Sequence, residues 1–287
     1  GVSTIKTSHG QKGGKIIEDA GVVIVSGKSG RTPMEQAVLE FDSKISKHRD
    51  QGYTFNTDGI NINLAPVPML AQNYEKHGHK ITFPAIAQPK LDGVRCTAKR
   101  ESDGSVSLLS RKGKEFQLLD QIRKAVISTG VPETFILDGE LYSDQIDFQR
   151  VVGLVRKKTY KNQADIDDMA KVKLNIFDAM DMNNPDMTFI QRWKKAKQYV
   201  DKDTTGTLTM VPCYRVDNDN QVKGLLSKFL AAGDEGVMVR NIKSPYEQGK
   251  RSYNLQKYKK FFDQEYKIVD ALEGQGNDIG TVVWICE

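Results

Sequence analysis

The stretch Lys90-Leu91-Asp92-Gly93-Val94-Arg95 lies between two runs of β character, Pro84–Gln88 and Val94–Ala98. Asp-Gly marks a tight turn, so the stretch reads as a strand end, a turn and a strand start. The Lys90 amine is thereby placed on the concave side of a sheet. A lone Lys-x-Asp-Gly carries little weight, because most lysines are surface groups. If the amine is a nucleophile toward phosphorus, however, its surroundings are constrained. Attack requires the neutral amine, and at an ordinary lysine pKa near 10.4 only about 0.1% is neutral at pH 7.5. Lowering that value by about three units costs ~4 kcal/mol, which desolvation, a nearby Arg95 and a divalent cation would supply together. Lys90 is therefore expected in a cationic, partly buried site.

Five further stretches follow in order. Leu109-Ser110-Arg111-Lys112-Gly113, one hairpin later, reads as a turn with exposed bases. Phe135-Ile136-Leu137-Asp138-Gly139-Glu140-Leu141-Tyr142 is a strand whose two-residue period puts Asp138 and Glu140 on one face. Two carboxylates on a largely apolar strand need partners, unless the strand is an edge with a wet face. In Lys173-Leu174-Asn175-Ile176-Phe177-Asp178, Phe177 can stack on a purine, although a core position is the commoner role of such a residue. Asp234-Glu235-Gly236-Val237-Met238-Val239-Arg240 repeats the carboxylate-glycine-strand design, with Glu235 a candidate metal contact, direct or through water. Leu255-Gln256-Lys257-Tyr258-Lys259 sets Lys257 and Lys259 on one strand face, aimed together at an anion if they are buried.

Taken in order, with spacings of 50, 37, 58 and 22 residues between Lys90, Glu140, Phe177, Glu235 and Lys257, these stretches resemble the nucleotidyltransferase domain of ATP-dependent DNA ligases. The resemblance runs from about Pro66 to Asp270. It implies an α+β, ATP-grasp-like domain of antiparallel sheets flanked by helices, and an enzyme that seals 5′-phosphate/3′-hydroxyl nicks in duplex DNA through a covalent lysyl-AMP. It implies that Lys90 is the nucleophile and that Gln88, Arg95, Arg111, Glu140, Phe177, Lys257 and Lys259 surround the nucleotide. Arg95 and Glu140 would hold the ribose region, Phe177 the adenine, and Lys257 and Lys259 the α-phosphate. Glu235, with Glu140, would hold Mg²⁺ or Mn²⁺; Arg192 matches a further arginine of the family. The partner implied is nicked DNA, acted on by a monomer in an intracellular setting, including a virus- or phage-infected cell.

RNA-capping guanylyltransferases share Lys-x-Asp-Gly-x-Arg, but their fourth motif usually opens Asp-Gly and their fifth reads Lys-Trp-Lys, against Glu235-Gly236 and Lys257-Tyr258-Lys259 here. NAD-dependent ligases usually lack the arginine at the position of Arg95. RNA ligases remain a rival, as does a nucleotide- and DNA-binding module without catalysis. A metal-dependent nuclease built on Asp138, Glu140 and Glu235 would leave Lys90 without a task.

Residues 1–53 read as a separate small unit. Two glycine-rich turns, Gly10-Gln11-Lys12-Gly13-Gly14 and Gly27-Lys28-Ser29-Gly30, bracket a strand at Val22-Val23-Ile24-Val25. Thr32-Pro33-Met34-Glu35 is a capping box with proline at the first helical position, opening a helix that should end near Gly52. With Phe41, Lys44, Lys47 and a closing Gly52-Tyr53, this order is similar to a WGR domain, a DNA-associated module, with His9-Gly10-Gln11 where the family carries Trp-Gly-Arg. A linker is expected at 54–65 and the adenylation domain at 66–263. Within that domain helices are expected at Leu118–Ile127 and Val222–Leu230, the second stopped by Gly233. Residues 264–287, two β runs around a glycine-rich turn, read as the beginning of a truncated OB-fold. The start at Gly1 points to trimming at the other end too.

Composition fits this picture. The 287 residues are 38% hydrophobic, and 42 Lys+Arg against 37 Asp+Glu give a net charge of +5. The excess is concentrated in Arg150–Lys161, with five bases and no acid, and Arg240–Lys260, with seven bases and one acid. Such runs suit a phosphate backbone, though a solvated lysine-rich face is the ordinary reading. No run approaches the ~20 apolar residues of a membrane span. Three scattered cysteines, Cys96, Cys213 and Cys286, exclude a disulfide framework or thiolate metal site.

Overall fold

The computed structural model describes residues 1–11, 13–49, 66–259, 265–275 and 279–287. The expected linker at 54–65, the closing Gly52-Tyr53 and the helix end near Gly52 lie outside them. The chain divides into two compact units, Gly1–Ile60 with Phe261–Glu287, and Asn61–Lys260.

In the first unit, β1 (Ser3–Ile5) pairs antiparallel with β4 (Val22–Ile24), and β2 (Ser8–Gly10) with β3 (Ile16–Glu18). Helix α1 (Pro33–Arg49) starts at the anticipated capping box: the Thr32 backbone N–H donates to the Glu35 carboxylate at 2.8 Å, and the Glu35 N–H to the Thr32 hydroxyl at 3.3 Å. Ile5, Ile24 and Ala37 form its small core. Of these four strands the sequence anticipates β4. The other three strands are three residues long, too short to display a period.

The second unit is built on two five-stranded sheets. Its elements in chain order are β5 (Leu70–Asn73), α2 (Tyr74–His77), β6 (Ala85–Lys90), β7 (Val94–Arg100), β8 (Val106–Ser110), α3 (Asp120–Ser128), β9 (Phe135–Tyr142), α4 (Phe148–Val155), α5 (Gln163–Met169), β10 (Lys173–Asp181), α6 (Phe189–Val200), β11 (Leu208–Met210), β12 (Tyr214–Val216), α7 (Asp219–Ala231), β13 (Gly236–Asn241) and β14 (Arg251–Tyr258). One sheet has the order β11-β10-β9-β7-β8 and the other β12-β6-β13-β14-β5. The sheets are not purely antiparallel as expected. Each carries one parallel pair at an edge, β10 with β11 and β14 with β5. Both edge strands close connections to residues distant in sequence, which periodicity cannot reveal.

Helices cover the outer faces because their apolar residues recur at helical spacing. Ile122, Ala125 and Val126 of α3, with Val151, Leu154 and Val155 of α4, pack on the first sheet; Val222, Leu226 and Phe229 of α7 pack on the second. The Asn218 side chain accepts from the Gln221 N–H at 3.0 Å, so α7 begins three residues before the apolar pattern does. Gly233, at φ +91°, follows its end as anticipated. A third cluster, Met69, Ile136, Met180, Tyr246 and Leu255, joins the inner faces of the two sheets. Beside that cluster the sheets part to form a cleft.

In the first unit, β15 (Ile268–Glu273) and β16 (Val282–Cys286) form an antiparallel hairpin with exposed Ile268, Leu272, Val282 and Trp284. Among the described residues no helix is long and apolar enough to cross a membrane.

Candidate functional site

Lys90 is the last residue of β6, and Glu235 immediately precedes β13. The ladder pairs Lys90 with Gly236 and aligns Gln88, Met238 and Lys257 in one row across β6, β13 and β14. Residues paired this way face the same side, so Gln88, Lys90 and Lys257 all belong to the inner face. Two glycines make the close approach possible. A Cβ at Gly236 would lie 2.3 Å from the Tyr258 carbonyl oxygen, and one at Gly93 would lie 2.4 Å from that of Leu141 and 2.7 Å from Glu140 Cγ. The Asp92-Gly93 and Glu235-Gly236 pairs are thus places where strands must touch.

On the opposing sheet, Arg95 pairs with Glu140 and Thr97 with Asp138, confirming that both carboxylates share a face. Phe177 sits where the β10–β9 register skips from Ile176 to Asp178, a bulge that turns its ring inward. The cleft between the sheets, about 230 Å³, is lined by Gln88, Lys90, Arg95, Arg111, Glu140, Phe177 and Lys257 together with Leu70, Met238 and Arg251. Seven anticipated residues therefore meet in one place. Glu235 and Lys259 join them at the lysine end: the Lys90 amine donates to Glu235, and Lys259 Nζ donates to Glu235 Oε1 at 2.7 Å.

Charge is unevenly compensated here. Burial raises the Glu235 pKa, but hydrogen bonds from Lys259 and Lys90 outweigh it and hold the carboxyl below its ordinary value. Burial, with Lys259, Lys90 and Arg251 nearby, lowers that of Lys257. Glu140 is pushed up to about 8 by burial, against the pull of Arg95 and Lys90. Near neutral pH its carboxyl therefore exists in both forms, able to donate to or accept from a hydroxyl.

The remaining charges form a buried network beneath the cleft. Arg95 grips Asp138 through Nε at 2.9 Å and Nη2 at 2.5 Å, and the Tyr246 hydroxyl donates to the same carboxylate at 2.6 Å. Arg95 is thus not a bare cation beside Lys90; the cationic neighbours of that amine are lysines. Asp138, fully buried, is consumed by this pairing. Arg192 lies outside the cleft and binds Asp178 through Nε at 2.9 Å, while Arg240 Nη1 reaches the other oxygen at 2.7 Å. The sequence gives Asp178 and Tyr246 no role, and Arg240 and Arg251 none beyond membership of the basic run 240–260. The signal for Arg240 was legible in retrospect: an arginine closing the apolar run Val237-Met238-Val239 must have a buried partner.

Beyond Arg95 and Arg111, which line both, the cleft continues into a groove bordered by Lys112, Lys114, Arg156, Lys157 and Lys158 over a floor of Phe116, Phe148, Val152 and Val155. The two basic runs do not act whole. Arg150 and Lys157 are paired with Asp165 and Asp168 of α5, and Arg240 with Asp178. Among the described residues no group of three His, Cys, Asp or Glu converges as a metal site; a nuclease centre on Asp138, Glu140 and Glu235 is not assembled.

A family model described as the ATP dependent DNA ligase domain matches residues 68–259. The chain is 30% identical over 271 residues to a DNA ligase of African swine fever virus (isolate Tick/South Africa/Pretoriuskop Pr4/1996), covering 91% of this chain and 62% of that protein. It is 28% identical over 247 residues to the DNA ligase of Enterobacteria phage T4, covering 70% of this chain and 50% of that one. The ATP-dependent DNA ligase of bacteriophage T7 in complex with ATP shares the fold, with a TM-score of 0.57 at 18% identity over 79% of this chain and 81% of that one. The chain spans 62% of the length of the viral relatives it matches. With a family model covering more than half its length, the chain belongs to the ATP-dependent DNA ligase family.

Proposed function

We propose that this chain carries the adenylation centre of a DNA ligase that seals nicks in duplex DNA, with Lys90 as the residue that becomes lysyl-AMP. The observation that carries the reading is the convergence of Lys90, Glu235, Lys257 and Lys259 at one end of a cleft whose wall holds Phe177. The Lys90 amine, neutral, attacks the α-phosphorus of ATP; an N–P bond forms, the P–O bond to pyrophosphate breaks, and a proton leaves the nitrogen. AMP then passes to the DNA 5′-phosphate, and the 3′-hydroxyl displaces it. Lys257 and Lys259 offset charge on the α-phosphate, and Glu235 orients the amine. Catalysis of this kind rests on positioning and charge neutralisation.

A divalent cation, Mg²⁺ or Mn²⁺, would be held by Glu235 and Glu140 together with phosphate oxygens and water, a donor set that suits it. The Glu140 carboxyl fits, since among the described residues it has no hydrogen-bond partner. The ion would neutralise phosphoryl charge. The test is the intact mass after incubation with ATP and Mg²⁺: a gain of one AMP, reversed by pyrophosphate, is expected, and no gain would refute the reading.

Two further outcomes are expected. Glu235→Ala should lower the rate of AMP transfer by about 10²–10³, the scale seen when a group acting on developing charge is removed. Phe177→Ala should instead weaken ATP binding by about 1–3 kcal/mol, the worth of a base–aromatic stack. Saturation kinetics separate the two, and a matching rate and affinity profile at both positions would contradict these roles.

The groove beyond Arg111 we assign to the DNA backbone, with residues 1–53 as an accessory DNA-binding unit. Among the described residues Arg111, Lys112, Arg156 and Lys158 have no acidic partner, so their charge is available to phosphates. Replacing Arg111, Arg156 and Lys158 by alanine should reduce the slope of log K against log salt by about 0.9 for each phosphate that is no longer neutralised. An unchanged slope for nicked duplex would place DNA elsewhere.

A further inference from the structure

Phe177 occupies a bulge, and bulged residues are left out of the ladder that fixes their neighbours. The β10–β9 register pairs Ile176 with Gly139 and Asp178 with Asp138, passing over Phe177. A ring expected to stack on a base therefore needs support from elsewhere. The support comes from the opposite sheet: Gln88 Nε2 donates to the Phe177 carbonyl oxygen at 3.2 Å. The other end of the same amide is also taken, because Gln88 Oε1 accepts from Arg240 Nε at 3.0 Å, and Arg240 is fixed by Asp178 at 2.7 Å. Arg240 in turn lies 5.4 Å from the centre of the Phe177 ring, and Arg95 lies 5.3 Å from it, both within cation–π range.

We propose that Gln88 is a positioning residue that ties the bulged carbonyl of Phe177 to Arg240, setting the plane on which a purine stacks without itself contacting the base. The proposal rests on the reading of Phe177 as the adenine platform. Gln88 lines the cleft yet is only 1% exposed. Its oxygen and one of its protons are already engaged, and the Cys213 thiol, which burial pushes up to about 12, lies beside the same amide. At that exposure the amide presents almost no surface to the exocyclic amine of adenine, and its oxygen already serves a buried guanidinium. Gln88 thus acts through Phe177, joining the two sheets at the position where the base must be gripped.

The test is a double-mutant cycle on equilibrium nucleotide binding. Binding is measured in a Lys90→Ala background so that no covalent adduct forms, and wild-type adenylation is followed in parallel. Gln88→Met keeps the side-chain length and removes both hydrogen bonds. It should weaken ATP about tenfold, but less than about twofold when Phe177 is already alanine, since residues acting through one contact are not additive. The same tenfold loss is expected with purine riboside triphosphate, which lacks the exocyclic amine. A penalty that persists in the Phe177→Ala protein, or that vanishes for the amine-free nucleotide, overturns the proposal. If Gln88→Met does not melt cooperatively, Gln88→Glu carries the cycle. It retains an acceptor for Arg240 and puts an oxygen against the Phe177 carbonyl, so the same coupled loss is required of it. Normal adenylation of the wild type with no coupling at Gln88 defeats this inference alone. A wild type that neither binds ATP nor takes up AMP defeats the proposed function and this inference with it.

Discussion

Lys90→Ala is expected to abolish uptake of AMP altogether, and Lys90→Arg to do the same. Among the described residues no other lysine can stand in, for reasons of position. Lys257 is aligned with Gln88 rather than with the strand end, and Lys259 donates to the other oxygen of Glu235. Lys90 alone couples a strand terminus, where the backbone is held by the Glu235 N–H donating to its carbonyl at 2.9 Å, with an amine oriented by the same residue's carboxylate. The arginine variant preserves the positive charge and the contact with Glu235, yet a guanidinium with a pKa above ~12 has no neutral nitrogen to offer. Intact mass after incubation with ATP and Mg²⁺ decides the matter. A full label on Lys90→Ala would remove the central assignment, whereas a label on wild type that is lost in both variants separates nucleophilicity from charge. Binding of ATP to Lys90→Ala should survive, because Phe177, Arg95 and Glu140 remain.

Much of the site was legible because its chemistry demands particular side chains at particular turns. Glu235 stands beside Gly236 and Lys90 three residues before Gly93, and those glycines prove to be points where a Cβ would strike a neighbouring strand's carbonyl oxygen. The two-residue period alone put Asp138 and Glu140 on one face, which the pairing of Thr97 and Arg95 with them bears out. Their different fates were not legible. Asp138 is taken by Arg95 and by Tyr246, a residue 108 positions away in an irregular stretch, while Glu140 lines the cleft with no hydrogen-bond partner for its carboxyl among the described residues. Partnerships of that span leave no local pattern. For the same reason the basic runs overstated the charge available to DNA: the acids that neutralise Arg150 and Lys157 sit on α5, and the one that neutralises Arg240 sits on β10. Gln88 was expected among the nucleotide contacts. It does line the cleft, but its amide is turned to Arg240 and Phe177.

Asp178→Ala should cost about 3–5 kcal/mol of stability, the range for leaving a buried charge without its partner. The aspartate is fully buried and holds two guanidiniums that are themselves almost wholly buried, Arg192 at 1% exposure and Arg240 at 3%. Arg192 has two other acceptors, the Met187 carbonyl at 2.5 Å and the Ser244 carbonyl at 3.0 Å. Arg240 has only Gln88 besides Asp178 among the described residues, so the greater part of the penalty falls on the strand that carries Glu235 at its head. Domains of this size are stable by roughly 5–15 kcal/mol in all, so the loss is a large fraction of the whole. Urea unfolding should show a lower midpoint at an unchanged slope, since the surface exposed on unfolding is the same. Asp178→Asn should fall between the two, keeping an oxygen for one arginine while leaving the pair's charge uncompensated. The exposed pair Lys197–Asp201 supplies the contrast: breaking it should cost no more than about 1 kcal/mol. An Asp178→Ala protein that unfolds at the wild-type midpoint would mean that solvent or a rearranged carboxylate reaches both arginines. The network would then support neither the fold nor, through Arg240 and Gln88, the ring of Phe177.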